Sequence, residues 1–190
     1  MITPSAMNNI NEYTEIFTID GFLSDEECDQ LIAKAEELGF EEAKVNIDGK
    51  QEMMKMIRDN ERVLYTDPDY ADELWKRLKP YIKPVIGNSE SLGLNELFRF
   101  YKYSPGQRFK MHRDGSFVRN ETEFSYYTFM IYLNDDYEGG QTKFKSGEII
   151  SPMKGTALIF EHSQRHEGDR LTTGIKYVLR TDVMYKMKNH

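Results

Sequence analysis

The sequence predicts an α+β fold that is mainly β, with its strands curled into a sandwich or barrel and its helices outside. Three observations predict it. Helix signals stop before residue 80. From Asn95 onward, segments of four to ten residues rich in Phe, Tyr, Val, Ile and Thr alternate with turn residues. Aromatics reach 13%, with 12 Tyr and 11 Phe, which suits a pleated core. A chain of 190 residues is long enough to bury one core, so residues 1–190 are expected as a single domain. Residues 1–94 would give N-terminal helical support and strands, and residues 95–185 the β core.

The elements follow in order. Residues 1–14 are polar and read as loose. Ile16–Phe22 (IFTIDGF) reads as a short strand. Ser24-Asp25-Glu26-Glu27 is a capping box, in which a serine hydroxyl and a glutamate three residues on satisfy the first free N–H groups of a helix. That helix should run to about Leu38, with Cys28, Leu31, Ile32, Ala35 and Leu38 on one stripe, and should end at Gly39. A second helix should cover roughly Tyr70–Leu78, stopped by Pro80. Lys55–Tyr65 reads as loop plus strand. The β segments are residues 97–103, 108–114, 125–134, 140–145, 148–150, 156–162 and 175–185, punctuated by SPGQ, NDDYEGG, SPMKG and TTG.

Composition narrows the function classes. Lys and Arg total 25 against 32 Asp and Glu, a net charge of −7 that argues against an extended nucleic-acid surface. No apolar run approaches the length of a membrane span, and no basic stretch followed by an apolar one opens the chain. The single cysteine, Cys28, excludes an internal disulfide framework and suits a reducing compartment. A cytoplasmic protein is therefore expected, with no membrane partner. The sequence does not fix an oligomeric state.

The stretch FKMHRDGSF (109–117) carries the first chemistry. His112 and Asp114 stand two apart, and on a strand they share a face where an imidazole and a carboxylate could hold one metal ion. A third ligand would come from a late strand if the sheet curls into a jelly roll. His162 and His166 both follow TALIFEH, and spacing alone leaves both open. Two neutral imidazoles and one carboxylate leave coordination positions free and suit non-haem Fe(II); the lack of thiolates argues against a structural zinc site. Ten residues past His166, Lys176 lies on the last strong strand. A buried lysine needs an anionic partner, and a dicarboxylate would supply one.

These residues resemble a known family. Tyr103-Ser-Pro-Gly106-Gln107 before His112-x-Asp114, then Tyr132-Leu133-Asn134, Gly139-Gly140-x-Thr142, and His166-x-Gly168 with Lys176 resemble the Fe(II)/2-oxoglutarate-dependent dioxygenase superfamily, within it the prolyl 4-hydroxylase-like branch. The resemblance covers about residues 97–185 and implies a double-stranded β-helix. It implies iron ligands at His112, Asp114 and His166. Lys176 resembles the residue that pairs with the distal carboxylate of 2-oxoglutarate, and Tyr103 the tyrosine that hydrogen-bonds the cosubstrate. Tyr132 lies where some members place a second tyrosine. Arg180 shares a strand face with Lys176 and competes with it for the carboxylate or serves the substrate. Arg58, Asn60 and Arg62 are candidates for the substrate entrance. Fe(II), 2-oxoglutarate and O2 are the implied cofactor and cosubstrates, with ascorbate as an optional reductant. The implied activity is hydroxylation of a protein residue such as proline. The same chemistry on a free amino acid or small metabolite is the alternative, and a non-catalytic cupin-like binder of metal or 2-oxoglutarate is a further one.

Overall fold

The computed structural model describes residues 15–42 and 59–188. Residues 1–14 and the start of the expected 55–65 segment, Arg58 included, lie outside the described residues. Helix α1 spans Asp25–Leu38. The Ser24 hydroxyl accepts from the Glu27 N–H at 3.2 Å, and the Glu27 carboxylate accepts from the Ser24 N–H at 2.7 Å, so both arms of the capping box are made. Gly39, at φ 82°, ends the helix by donating its N–H to Ala35 and Glu36 carbonyls. Cys28, Leu31 and Ala35 are buried, but Leu38 is 45% exposed. It stands in the last turn, roughly 60° round from the centre of the buried stripe.

Helix α2 spans Pro68–Leu78 and starts two residues earlier than the sequence pattern suggested. Asp67 caps it, its carboxylate accepting from the Tyr70 N–H at 3.0 Å, and Pro68 takes the first helical position, where no N–H is needed. Ala71, Leu74 and Leu78 point into the core.

The strands are β1 Ile16–Ile19, β2 Glu41–Glu42, β3 Glu61–Thr66, β4 Val85–Ile86, β5 Ser89–Leu94, β6 Leu97–Tyr103, β7 Phe109–His112, β8 Glu123–Tyr132, β9 Glu138–Gly139, β10 Thr142–Phe144, β11 Ile149–Ile150, β12 Ala157–Glu161, β13 His166–Gly168, β14 Leu171–Thr173 and β15 Lys176–Met187. The larger sheet runs β1-β12-β8-β15-β6-β3-β2, and β5 pairs with β15 and with β4. A four-stranded sheet runs β11-β10-β13-β7, and β14 pairs with β9. The ladders within these sheets are antiparallel. Strands from before residue 95 (β1, β2, β3, β4 and β5) are thus part of the larger sheet. The hairpin β4–β5 was not expected, because SESLGL is diluted by serine and glycine.

The larger sheet is buried on both faces. Phe98, Phe100, Phe129, Ile131, Ile159, Leu179 and Val183 face the helices and pack with Cys28, Leu31, Ala35, Leu74 and Leu78. The alternate residues Tyr101, Tyr103, Tyr132, Leu158, Phe160 and Val178 face the other way and form a second core with Phe144 of the smaller sheet. This period-2 alternation explains why the strands read as near-continuous apolar runs. Polar residues on the inward face are therefore exceptions: Lys176, Arg180 and Asp182 on β15, Arg99 on β6, and Thr128 on β8. Among the described residues, no helix is long and apolar enough to cross a membrane.

Candidate active site

Two pairings assemble the inward polar groups. Antiparallel β13 and β7 set His166 opposite His112. Antiparallel β15 and β6 set Lys176 opposite Tyr103. Asp114, two residues beyond His112, completes a cluster in which one donor atom from each of His112, Asp114 and His166 lies within 4.8 Å of the others. His112 Nε2 is 3.4 Å from Asp114 Oδ1, and His166 Nε2 is 3.8 Å from Asp114 Oδ2.

The ring orientations are fixed by main-chain carbonyls. His112 Nδ1 lies 2.8 Å from the Lys110 carbonyl and His166 Nδ1 lies 3.1 Å from the Gln164 carbonyl. A carbonyl can only accept, so each Nδ1 carries the proton and each Nε2 lone pair points into the cluster. The His112 ring also stacks on Phe109, with centroids 3.5 Å apart. Burial, opposed in part by Asp114, lowers the His166 pKa to about 4, so its ring is neutral at neutral pH. Burial alone would raise the Asp114 pKa. The Arg180 guanidinium, aided by the Thr128 hydroxyl, outweighs it and holds the carboxyl well below its usual range. The donor set is then two imidazoles, that of His166 neutral, and one carboxylate. His112 Nε2 is buried and without a hydrogen-bond partner among the described residues. A buried lone pair left unmatched beside a carboxylate and a second imidazole fits a metal ion, and the mix of donors fits Fe(II).

His162 is not part of this cluster. Its Nε2 is 2.8 Å from Ser125 Oγ and its Nδ1 is 3.1 Å from Thr128 Oγ1. Thr128 Oγ1 in turn donates to Asp114 Oδ2 at 2.5 Å. His162 thus sits one hydroxyl away from the carboxylate, behind it.

A cleft runs inward from the cluster and encloses about 480 Å³ of empty space counted to its open mouth. Tyr103, Thr142, Lys176 and Arg180 are on its wall with the three cluster residues. Lys176 is 4% exposed. Its ammonium donates to the Gly140 carbonyl and lies 5.6 Å and 5.2 Å from the ring centres of Tyr103 and Tyr132. Among the described residues no carboxylate pairs with it, and burial pulls its pKa down to about 7. Gly140, at φ 66°, is needed here: a Cβ would lie 3.2 Å from Lys176 Cδ, so the glycine pair serves the lysine as well as the turn.

Two expected cosubstrate residues stand elsewhere. Tyr132 is fully buried behind the wall, and its hydroxyl is 2.6 Å from Thr142 Oγ1, which does reach the cleft. Arg180 lines the cleft, but its Nη2 lies 3.2 Å from Asp114 Oδ2 and 3.1 Å from Asp182 Oδ1. It is about 13 Å along the strand from Lys176, too far for both cations to share one small carboxylate. Thr128 and Asp182 were missed in the sequence, and Thr142, though part of the quoted motif, was given no role. The signal available was a polar residue on the inward face of an otherwise apolar strand, two or four positions from a residue already singled out. Of the entrance candidates, Asn60 is buried and its side-chain amide donates to the Glu61 carbonyl. Arg62 pairs through β3 with Tyr101.

A curled antiparallel sheet that brings two imidazoles and a carboxylate together, beside a cleft with a buried lysine on its wall, has the donor set of a jelly-roll non-haem metal site. The profile of the 2OG-Fe(II) oxygenase superfamily matches residues 98–181, which contain every residue of the cluster and of the cleft wall named above. Over those residues the chain is similar to that superfamily, and the curated relatives it matches are prolyl 4-hydroxylases. It is 24% identical over 184 residues to probable prolyl 4-hydroxylase 6 of Arabidopsis thaliana, covering 84% of this chain and 62% of the relative. To probable prolyl 4-hydroxylase 11 of the same plant it is 29% identical over 157 residues, covering 77% of this chain and 53% of the relative. The chain therefore spans less than two thirds of the length of these relatives. The viral collagen prolyl hydroxylase of Paramecium Bursaria Chlorella virus-1, solved with 2-oxoglutarate, superimposes with a TM-score of 0.65 at 22% identity, over 92% of this chain and 97% of that one. A prolyl hydroxylase of Trichoplax adhaerens, in complex with a hypoxia inducible factor oxygen degradation domain peptide fragment, gives 0.68 at 17% identity, over 91% and 83%. These two likenesses carry the fold.

Proposed function

We propose that the chain is a 2-oxoglutarate-dependent non-haem iron dioxygenase that hydroxylates a prolyl residue in a peptide or protein. The observation that carries this is the pairing of an open His112–Asp114–His166 donor set with a buried cation, Lys176, that has no carboxylate partner among the described residues. In that proposal His112, Asp114 and His166 hold Fe(II), whose chemistry when bound is the activation of O2 at the expense of 2-oxoglutarate. Lys176 meets the distal carboxylate of the cosubstrate. Tyr103 and Thr142 flank that carboxylate, and Tyr132 keeps Thr142 oriented through their shared hydrogen bond. Leu158, Phe160, Val178 and Phe144 form the apolar core beneath, which excludes water from the reacting groups. A peptidyl prolyl substrate is supported by the prolyl hydroxylase relatives and by the peptide seen in the Trichoplax structure. The cytosol is the compartment we propose, in keeping with a single, buried cysteine. Ascorbate would act as a reductant for the iron.

The first test is anaerobic addition of 2-oxoglutarate to the Fe(II)-loaded protein. A weak visible charge-transfer band, lost in His112→Ala and Asp114→Ala, is the expected result, followed by succinate release on addition of proline-containing peptides. No band in protein shown to hold one iron would remove 2-oxoglutarate as the cosubstrate and bring forward a cupin-like metal binder.

A further inference from the structure

Four charges run in a line behind the metal cluster. Arg99 and Arg180 are directly opposite each other on β6 and β15, a like-charge pair that is unfavourable unless bridged. Asp182 bridges them: its Oδ1 accepts from Arg180 Nη2 at 3.1 Å and its Oδ2 lies 3.1 Å from Arg99 Nη1. Asp182 is 1% exposed. Arg180 Nη2 then reaches Asp114 Oδ2 at 3.2 Å, where Thr128 Oγ1 also donates at 2.5 Å. Of the Arg180 nitrogens, Nε is buried without a hydrogen-bond partner among the described residues. Its charged end is committed to two carboxylates.

The two oxygens of Asp114 are therefore unlike. Oδ2 is held from behind by an arginine and a threonine. Oδ1 is the oxygen nearest His112 Nε2, at 3.4 Å, and has no such partner behind it among the described residues, while Oδ2 also faces His166 Nε2 at 3.8 Å. We propose that Arg180 is a positioning residue for Asp114: with Thr128 it holds Oδ2 and so fixes the orientation in which the carboxylate is presented to the metal. This inference rests on the metal reading above and adds a role that cosubstrate binding does not require. Asp182 matters to it in a specific way. It offsets the charge of Arg180, so the guanidinium acts on Asp114 as a directed donor and not as an extra positive charge beside a dication. Arg99 keeps Asp182 satisfied when Arg180 is replaced, so the replacement leaves no uncompensated anion at that end of the line.

The two possible roles of Arg180 predict opposite signs. As a mere positive charge it repels the ion, and its removal tightens metal binding. As a positioning group it orders the carboxylate, and its removal loosens metal binding, by about tenfold or more on the scale of such outer partners. The test uses Co(II), whose visible bands report coordination number, titrated into metal-free protein without cosubstrate. Wild type should bind one ion, and His112→Ala should not; failure of both statements sinks the metal reading itself, not this inference. Arg180→Met should bind Co(II) about tenfold or more weakly, with a changed band pattern as Oδ2 becomes available, at unchanged circular dichroism. Arg180→Lys should restore the wild-type bands in part, and Thr128→Val should shift them in the same direction as Arg180→Met. Should Arg180→Met fail to fold, the Lys and Val variants carry the test alone. In the Co(II)-loaded protein, 2-oxoglutarate affinity should fall steeply in Lys176→Met and change little in Arg180→Lys. Wild-type bands and affinity in both Arg180→Met and Thr128→Val would overturn the proposal. So would tighter Co(II) binding in Arg180→Met, or a loss of 2-oxoglutarate affinity in Arg180→Lys equal to that in Lys176→Met.

Discussion

Lys176 makes the affinity for a dicarboxylate depend on pH in a way that can be worked out beforehand. Burial lowers its pKa from 10.5 to about 7, and nothing anionic among the described residues offsets that cost. A bound carboxylate favours the ammonium form, so binding must draw a proton onto the lysine wherever it is neutral. At pH 6 about nine tenths of the free protein is protonated at this site and at pH 8 about one tenth, so the dissociation constant for 2-oxoglutarate should rise about tenfold between them. The sign is fixed: affinity falls as pH rises through 7, and proton uptake per ligand approaches one near pH 8. His166, with its pKa near 4, does not titrate in this window. The assay is anaerobic calorimetry with the metal-loaded protein in two buffers of different ionisation enthalpy, which gives affinity and proton uptake together. Lys176→Arg is the control, because a guanidinium stays charged and its profile should be flat. A wild-type constant that does not change from pH 6 to 8, or a slope that persists in Lys176→Arg, would refute the reasoning.

The remaining predictions concern stability. The metal-free protein keeps His166 neutral, so acid should destabilise it: the unfolded chain takes up the proton below its usual pKa of 6.5 and the fold resists until about 4. Urea titrations should show about 3 kcal/mol less stability at pH 4 than at pH 6.5 from this group, a difference absent in His166→Gln. Leu74→Ala, at a fully buried position of α2 far from the cleft, should cost about 2–5 kcal/mol in denaturant unfolding while Co(II) affinity stays at the wild-type value.

Some of this was legible in the residues and some was not, and the division has physical causes. The capping box and Gly39 named α1 nearly to the residue, because end signals act locally through backbone N–H and C=O groups. The strand LFRFYKY is β6 at both ends, since its alternation is strong. By contrast, β13 is three residues long and reads HEG, and nothing in those residues announces a strand; only pairing with β10 and β7 makes it one. That pairing is also what sets His166 opposite His112. The sequence pattern could not choose between His162 and His166 without a resemblance, because the choice is made by register. Arg180 shows the same limit. Period-2 counting put it on the inward face with Lys176, but it could not say that Asp182, one alternate position further on, would claim it. The early helix start at Pro68 was readable and was passed over: Asp-Pro is a cap followed by a first-turn proline.

The cleft draws its polar side chains from strands that differ in how firmly they are held. Lys176 and Arg180 are on β15, which is hydrogen-bonded to β5, β6 and β8 and lies between two cores. His112 ends β7, the outermost strand of the smaller sheet, paired on one side to β13. Amide protons on β15 should exchange only with global unfolding, and those on β7 through a local opening of much lower free energy. An ion shared by His112, Asp114 and His166 would then act as a clasp, tying the border strand and the residues after it to β13, and through the Asp114–Arg180 contact to β15. Exchange protection at Lys110 and Met111 becomes a readout of metal occupancy that needs neither substrate nor cosubstrate.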